Sequence, residues 1–378
     1  MTVLSPEPAL AWLEQAAGAR QASGLRRTLV ARRPGEFLDF AGNDYLGLSR
    51  APAVVEAAVA AARSHGAGAT ASRAVTGTSE LHLRLEQALA AHVGAQAGLV
   101  LSSGYLANLA AVTALSGPDA LVVSDAGNHA SIVDACRLSR SRVVVVASGD
   151  VAPVDEALQQ RTEQRAVVVT DAVFSTTGRL APLAALHVVS RRAGALLVVD
   201  EAHALGVVGP EGRGVASTCG LAGQPDVVLT ATLSKALGSQ GGVVLGPTAV
   251  RDHLVDTARP LLFDTALAPP ATGAALAALA LVDASRVAAL HAAVEVLAGS
   301  LGVEPTGSAV LPLVLGDPSR AAAARDACLE QGVLVGCFRP PSVPVGQASL
   351  RLTVRADHSR ADLDRAAEVV LAAMGRAA

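Results

Sequence analysis

The stretch "LLVVDEAHALG", residues 196–206, decides how the chain is read. An unbroken apolar run stops on Asp200, and His203 follows three positions later. A run without polar alternation marks a strand covered on both faces, not one that alternates between core and water. Six more runs share the pattern: "AGLVLSS" (97–103), "ALVVSD" (120–125), "RVVVVAS" (142–148), "AVVVTD" (166–171), "DVVLTAT" (226–232) and "GGVVLG" (241–246). Helical patterns lie between them. Strands alternating with helices imply an α/β fold with a mainly parallel sheet and right-handed crossovers. Several runs end on polar residues, namely Ser102 and Ser103, Asp125, Asp171, Asp200 and Thr232. Ligands bind at the carboxyl ends of strands in open α/β sheets, so these ends imply one site on that edge.

Outward from this centre the pattern changes. Residues 8–22 read as an amphipathic helix, followed by the basic stretch "GLRRTLVARRPG" and a short strand and turn in "EFLDFAGNDYLGLS". "PAVVEAAVAAARSHG" has helical composition. Beyond about 285, helices and the short strands "AVLPLVLG", "GVLVGCF" and "ASLRLTVRA" read as a smaller α+β domain. The expected division is an N-terminal arm over 1–45, a large domain over 46–284 and a small domain over 285–378.

With 51% hydrophobic but only 2% aromatic residues in 378, the core is built from Ala, Val and Leu. A net charge of −3 with scattered arginines argues against a nucleic-acid surface. Cys136, Cys219, Cys328 and Cys337 lie far apart with no CxxC, which suits reduced thiols in the cytoplasm. "MTVLSPEPALAWLEQ" lacks the basic start of a secretory signal. The uncharged run from Thr265 to Val282 opens near Pro269-Pro270 and is rich in Ala, so it reads as a buried helix and not a membrane span.

Candidate chemistry gathers at the strand ends. "GAGATA" (66–71) matches a dinucleotide fingerprint but follows a helical stretch instead of a strand, which removes its context. "SSGYLANLAAVTAL" (102–115) is a strand end, a turn and a helix start, whose free N–H groups suit a phosphate or are simply capped. Asp200 suits the protonated pyridine nitrogen of pyridoxal phosphate, a metal, or a satisfied buried pair with His203; no further ligand cluster supports the metal. Lys235, in "ATLSKALGSQGG" (231–242), is the only lysine beside 29 arginines. Arginine replaces lysine wherever charge alone is needed, but it has no amine lone pair for a Schiff base. The glycines after Lys235 would let backbone approach a cofactor. His129, after another strand end, is structural or a ring that stacks and transfers protons. Arg351, in "LRLTVR", is solvated or clamps a carboxylate.

Taken together, "GNDYLGLS", "SSGYLANLAA", "NHASIVDA", "VFSTTGRLAPL", "VDEAHALGVVGPEGRG", "TLSKALGSQGG" and "FRPPSVPVGQASLRLT" resemble the α-oxoamine synthases, fold-type-I pyridoxal-phosphate enzymes. The resemblance runs in order from about residue 25 to 355. It implies a PLP-dependent transferase fold, with a mainly parallel large domain and a smaller α+β C-terminal domain. It also implies that Lys235 carries pyridoxal 5'-phosphate, that Asp200 pairs with the pyridine nitrogen, and that His203 and Ser175 lie near the phenolic oxygen. By the same resemblance His129 stacks on the ring and meets substrate, Gly104 and Tyr105 line the phosphate and ring pocket, and Thr232 meets the phosphate. Arg26, Asn43, Arg351 and Thr353 match substrate positions. "LLFDTALAPP" resembles a segment that reaches the partner's cofactor in a homodimer, with Thr265 acting across the interface. Asp171 stands where relatives often have Glu. The implied activity is a decarboxylative acyl transfer. "FRPPSVPVG" looks like the members that join L-alanine to a pimeloyl thioester; members using glycine with acetyl or succinyl thioesters, or a palmitoyl donor, are the alternative. A non-catalytic ligand-binding protein on the same fold is a further alternative.

Overall fold

The computed structural model describes residues 8–27, 29–33 and 35–376. Its strands are β1 (Leu38–Phe40), β2 (Ala97–Leu101), β3 (Ala120–Asp125), β4 (Arg142–Val146), β5 (Arg165–Asp171), β6 (Leu196–Asp200), β7 (Val227–Thr232), β8 (Gly242–Gly246), β9 (Val310–Gly316), β10 (Val333–Phe338) and β11 (Ala348–Thr353). The first helices are α1 (Ala11–Ala22), α2 (Pro52–His65), α3 (Glu80–Val93), α4 (Gly104–Leu115) and α5 (Ala130–Ser139). The chain divides into two compact units: residues 42–311 with 353–363, and the remainder.

All seven apolar runs form one sheet in the larger unit, in the order β2-β8-β7-β6-β5-β3-β4. Neighbours from β7 to β4 are parallel. β8 runs antiparallel to both β7 and β2. The connection 233–241 explains the exception. A parallel pair needs a crossover of about a dozen residues or more, usually a helix, and this segment is shorter and contains none.

Residues of α4 that are small, Ala107, Ala110, Ala111 and Val112, pack on Val122, Val167, Val198, Val228 and Val244 from five strands. The aliphatic core expected from composition is this layer. The uncharged run near 265–282 contains the helix Pro269–Leu279, which packs on α2 and α3. A second helix, Ala284–Leu301, is long and apolar enough to cross a membrane, with mean hydropathy 1.2. Its residues Val287, Leu290, Val294, Leu297 and Leu301, spaced three and four apart, are all buried. Asp283 starts this helix, its carboxylate accepting Arg286 N–H at 2.8 Å.

In the smaller unit the sheet order is β1-β10-β11-β9. β1 pairs parallel with β10, and β10 antiparallel with β11. The expected boundaries therefore shift. Residues 38–40 are a strand of the smaller unit's sheet instead of part of a separate arm, and residues 285–311 belong to the larger unit.

Candidate active site

Strand register builds the site. Asp171 and Asp200 are direct partners across β5 and β6, and Thr230 is opposite Asp200 on β7. Leu101 and Thr232 both pair with Gly242, so the ends of β2 and β7 meet at the same edge. There the chain encloses a cavity of about 270 Å³, bounded by Ser103, Gly104, Tyr105, Asn108, His129, Ser131, Asp171, Val173, Asp200, Ala202, His203, Thr232, Ser234 and Lys235.

α4 begins at the cavity, with Ser103 as its cap accepting Leu106 N–H at 3.2 Å. Its first-turn N–H groups and positive dipole end suit an anion. Thr232 and Ser234 hydroxyls lie 2.7 Å apart beside it. Glycines make this proximity possible. A Cβ on Gly242 would stand 2.2 Å from Ser103 O, and one on Gly104 2.8 Å from Thr232 Cβ. Gly238, at φ +57, closes the Lys235 turn, and a side chain there would meet Ser49 N at 2.4 Å. These glycines let the strand ends, the start of α4 and the Lys235 turn approach one another.

The Asp200 carboxylate, 5% exposed, accepts Asn108 Nδ2–H at 2.6 Å and Ala202 N–H at 2.8 Å. Beside it, burial and then the negative Asp200 push the Asp171 carboxyl well above its ordinary pKa. Burial beside a second carboxylate thus favours the neutral form of Asp171. His129 caps α5, its Nδ1 accepting Ser131 N–H at 3.2 Å. Its surface opens on the cavity, yet nearby protein desolvates the ring and lowers its pKa; Asp200 opposes that shift and Lys235 adds to it. The Tyr45 hydroxyl donates to Asn43 Oδ1 at 3.1 Å, and its oxygen lies 2.6 Å from His203 Nδ1. The next carboxylate, Glu201, serves the fold: it accepts the N–H groups of Val215 and Ala216, and burial raises its pKa to about 7.

Seven expected residues therefore share one cavity: Gly104, Tyr105, His129, Asp200, His203, Thr232 and Lys235. Asn43 joins through Tyr45. Ser175 is half-buried in the turn after Phe174, outside the cavity lining. Thr353 donates to Gly42 O. Thr265 bridges to Ser72, and the following Leu267 carbonyl is held by the buried His82 at 2.9 Å. Burial lowers the His82 pKa to about 4, which keeps this tie neutral. Arg351 and Arg26 belong to the smaller unit. Arg351 is buried on β11 with its guanidinium 4.4 Å from the Phe338 ring centre. Arg26 is exposed and lines a separate cavity of about 520 Å³ with Arg20, Arg27 and Arg339.

Asp125 does not join the site. Its carboxylate binds Gly127 N–H at 2.6 Å and Gly149 N–H at 2.8 Å, so it shapes two turns. Asn108, Ser131 and Tyr45 were not read from the sequence. Asn108 was detectable as an amide four residues after Gly104, on the face of an otherwise apolar helix that leads back to the turn. Tyr45 is one of two tyrosines in the chain.

These groups fit pyridoxal phosphate: an anion site at a helix start, a buried charged carboxylate for a pyridine nitrogen, a flat imidazole and a primary amine. Among the described residues no cluster could hold a metal. Fold and site define a pyridoxal-phosphate enzyme of fold type I. The sequence profile of aminotransferase class I and II matches residues 35–370. The 8-amino-7-oxononanoate synthase of Mycobacterium sp. (strain JLS) is 61% identical over 372 residues, 97% of this chain and 96% of that one. Among solved structures, serine palmitoyltransferase from S. paucimobilis with a bound PLP–myriocin aldimine superposes with TM-score 0.90 at 29% identity, over 97% of this chain and 98% of that one. The 8-amino-7-oxononanoate synthase of Francisella tularensis gives TM-score 0.74 at 26% identity, over 88% and 96%. The chain belongs to the class I and II aminotransferase family, in its 8-amino-7-oxononanoate synthase branch.

Proposed function

We propose that the chain condenses L-alanine with a pimeloyl thioester, releasing CO2 and the carrier thiol and forming 8-amino-7-oxononanoate, a step of biotin biosynthesis. The observation that carries this reading is the 61% identity over nearly the whole of both chains to a synthase of that name, combined with the complete cavity around Lys235. The closer superposition on serine palmitoyltransferase, at 29% identity, reflects a shared fold and does not rank substrates.

When bound, pyridoxal phosphate supplies an electron sink for a carbanion at the substrate Cα. Lys235 would hold the cofactor through its amine, the group at this site suited to accept a proton from the substrate Cα. Asp200, buried and fixed by Asn108 and Ala202, would pair with the pyridine nitrogen and favour its protonated form. The start of α4 and Thr232 would hold the phosphate, His129 would cover the ring, and His203 and Ser175 would serve its phenolic oxygen. Arg351 receives the alanine carboxylate, Asn43 and Thr353 are further substrate positions, and Arg26 guides the acyl donor. The protein works as a cytoplasmic homodimer in which Thr265 reaches the partner's site. Val75 and Phe263, 74% and 72% exposed, flank the Ser72–Thr265 bridge and support burial of this surface by a second copy. The test is thiol release across alanine, glycine and serine with pimeloyl, acetyl, succinyl and palmitoyl thioesters, carried on coenzyme A or on a carrier protein. Alanine with pimeloyl is expected to be fastest; faster turnover of glycine with acetyl or succinyl donors would overturn the assignment.

A further inference from the structure

A chain of hydrogen bonds joins the two groups that flank the proposed cofactor. Thr230 Oγ1 donates to Asn108 Oδ1 at 2.5 Å. Asn108 Nδ2 donates to Asp200 Oδ2 at 2.6 Å and to Ser131 Oγ at 2.9 Å. Ser131 Oγ lies 2.7 Å from His129 Nδ1. Asn108 is 3% exposed and Ser131 is fully buried, so the bonds among Thr230, Asn108, Asp200 and Ser131 are shielded from water, while the last one reaches His129 at the cavity surface.

Donor counting orients the chain. An ionised carboxylate only accepts, so the amide of Asn108 must turn its NH2 toward Asp200 and its oxygen toward Thr230. Its two protons are then spent, one on Asp200 and one on Ser131 Oγ. A serine hydroxyl has a single proton, and the remaining neighbour in this chain is His129 Nδ1. That nitrogen also faces the Ser131 backbone N–H at 3.2 Å. Two donors aimed at Nδ1 require its lone pair and place the ring proton on Nε2.

We propose that Asn108 and Ser131 are positioning residues that hold His129 as its neutral Nε2–H tautomer and tie that tautomer to the orientation of Asp200. The inference rests on reading His129 and Asp200 as the groups on either side of the cofactor. The charged and titratable groups around His129 are Asp200 on β6, Asp171 on β5, Lys235 in the 233–241 turn, and Tyr105 on α4, which is bonded to Asp134 of α5. Asp200 favours an imidazolium and Lys235 opposes it. The fixed donors at Nδ1 add to the opposition, because protonation there must turn the Ser131 hydroxyl away and leave its backbone N–H facing a cation. The neutral ring then keeps a defined Nε2–H donor at the cavity.

Selective 15N labelling of the nine histidines in the holoenzyme tests this, with the His129 signals assigned by their loss in His129→Gln. The expected wild-type pattern is an unprotonated Nδ1 and a protonated Nε2 throughout pH 6–8. Ser131→Ala should mix the tautomers and raise the protonation midpoint by roughly one unit, the size of one net hydrogen bond. Asn108→Ala should do the same, and the double variant should add nothing further, since both act through one chain. If Asn108→Ala does not fold, Ser131→Ala decides alone. A protonated Nδ1 in the wild type overturns the proposal. So do Ser131→Ala signals and midpoint that match the wild type, even where turnover falls. The shifts are read without turnover: a protein that ignores alanine and pimeloyl thioester yet shows the Nε2–H pattern upholds the positioning role while the substrate assignment fails.

Discussion

The floor of the Lys235 cavity and the arginine-lined cavity around residues 20–27 carry charge in opposite ways. On the floor, Asp200 is buried and hydrogen-bonded by Asn108 and Ala202, and burial pushes the pKa of the neighbouring Asp171 up. In the second cavity Arg20, Arg26 and Arg27 are exposed to solvent. A buried charge is expensive unless fixed partners receive it, so its position limits which chemistry fits. Exposed guanidinium groups attract many anions with little selectivity. The difference teaches why cofactor chemistry is easier to read from this chain than the identity of the acyl donor.

That contrast yields an order of effects. Lys235→Ala should cost most, abolishing covalent attachment and reducing turnover to background, as read by the visible band and thiol release. Asp200→Asn keeps the shape but removes the charge. Turnover should fall on the order of 10²–10³ while cofactor remains bound, and a loss of only a few-fold would place the pyridine nitrogen elsewhere. Arg351→Ala should raise KM for alanine roughly 10- to 100-fold, the worth of a charge-assisted hydrogen bond, with kcat less affected. Lysine there should restore only part, lacking the planar fork. Arg26→Ala should produce a still smaller rise, about tenfold or less, in KM for the pimeloyl thioester alone; an equal rise for alanine would erase the distinction between the two cavities.

The smallest effect falls on stability. Folding raises the Glu201 pKa to about 7 from an ordinary value near 4.5. Between those values the folded chain binds more protons than the unfolded one, so this group's contribution falls as pH rises through that window. Glu201→Gln should flatten this part of the Tm–pH profile. An unchanged slope would contradict the role assigned to Glu201 beside the charged Asp200.

The seven strands were legible because burial on both faces leaves unbroken apolar runs; the Asp200 and His129 positions followed from where such runs end, and Lys235 from being the only lysine beside 29 arginines. The direction of β8 was also available, in the short helix-free connection 233–241, but composition alone does not give it. Asp125 looked like Asp171 and Asp200 in sequence, yet β3 lies beyond β5 in the sheet and its carboxylate meets two turn N–H groups. Pairing of β1 with β10 joins residues nearly three hundred positions apart, a contact that local patterning does not encode. Asn108 acts only through groups that other strands bring to it.

The central claim is that the only lysine carries the cofactor. Its most direct test is to load the protein with pyridoxal phosphate, reduce it with borohydride, denature it and digest it with a lysine-specific protease. The unreduced chain should be cut once, after Lys235, and the reduced chain should resist that cut and carry the reduced pyridoxyl group on the peptide spanning 231–242. A protein that stays colourless with pyridoxal phosphate, and is still cut at Lys235 after reduction, would contradict the account.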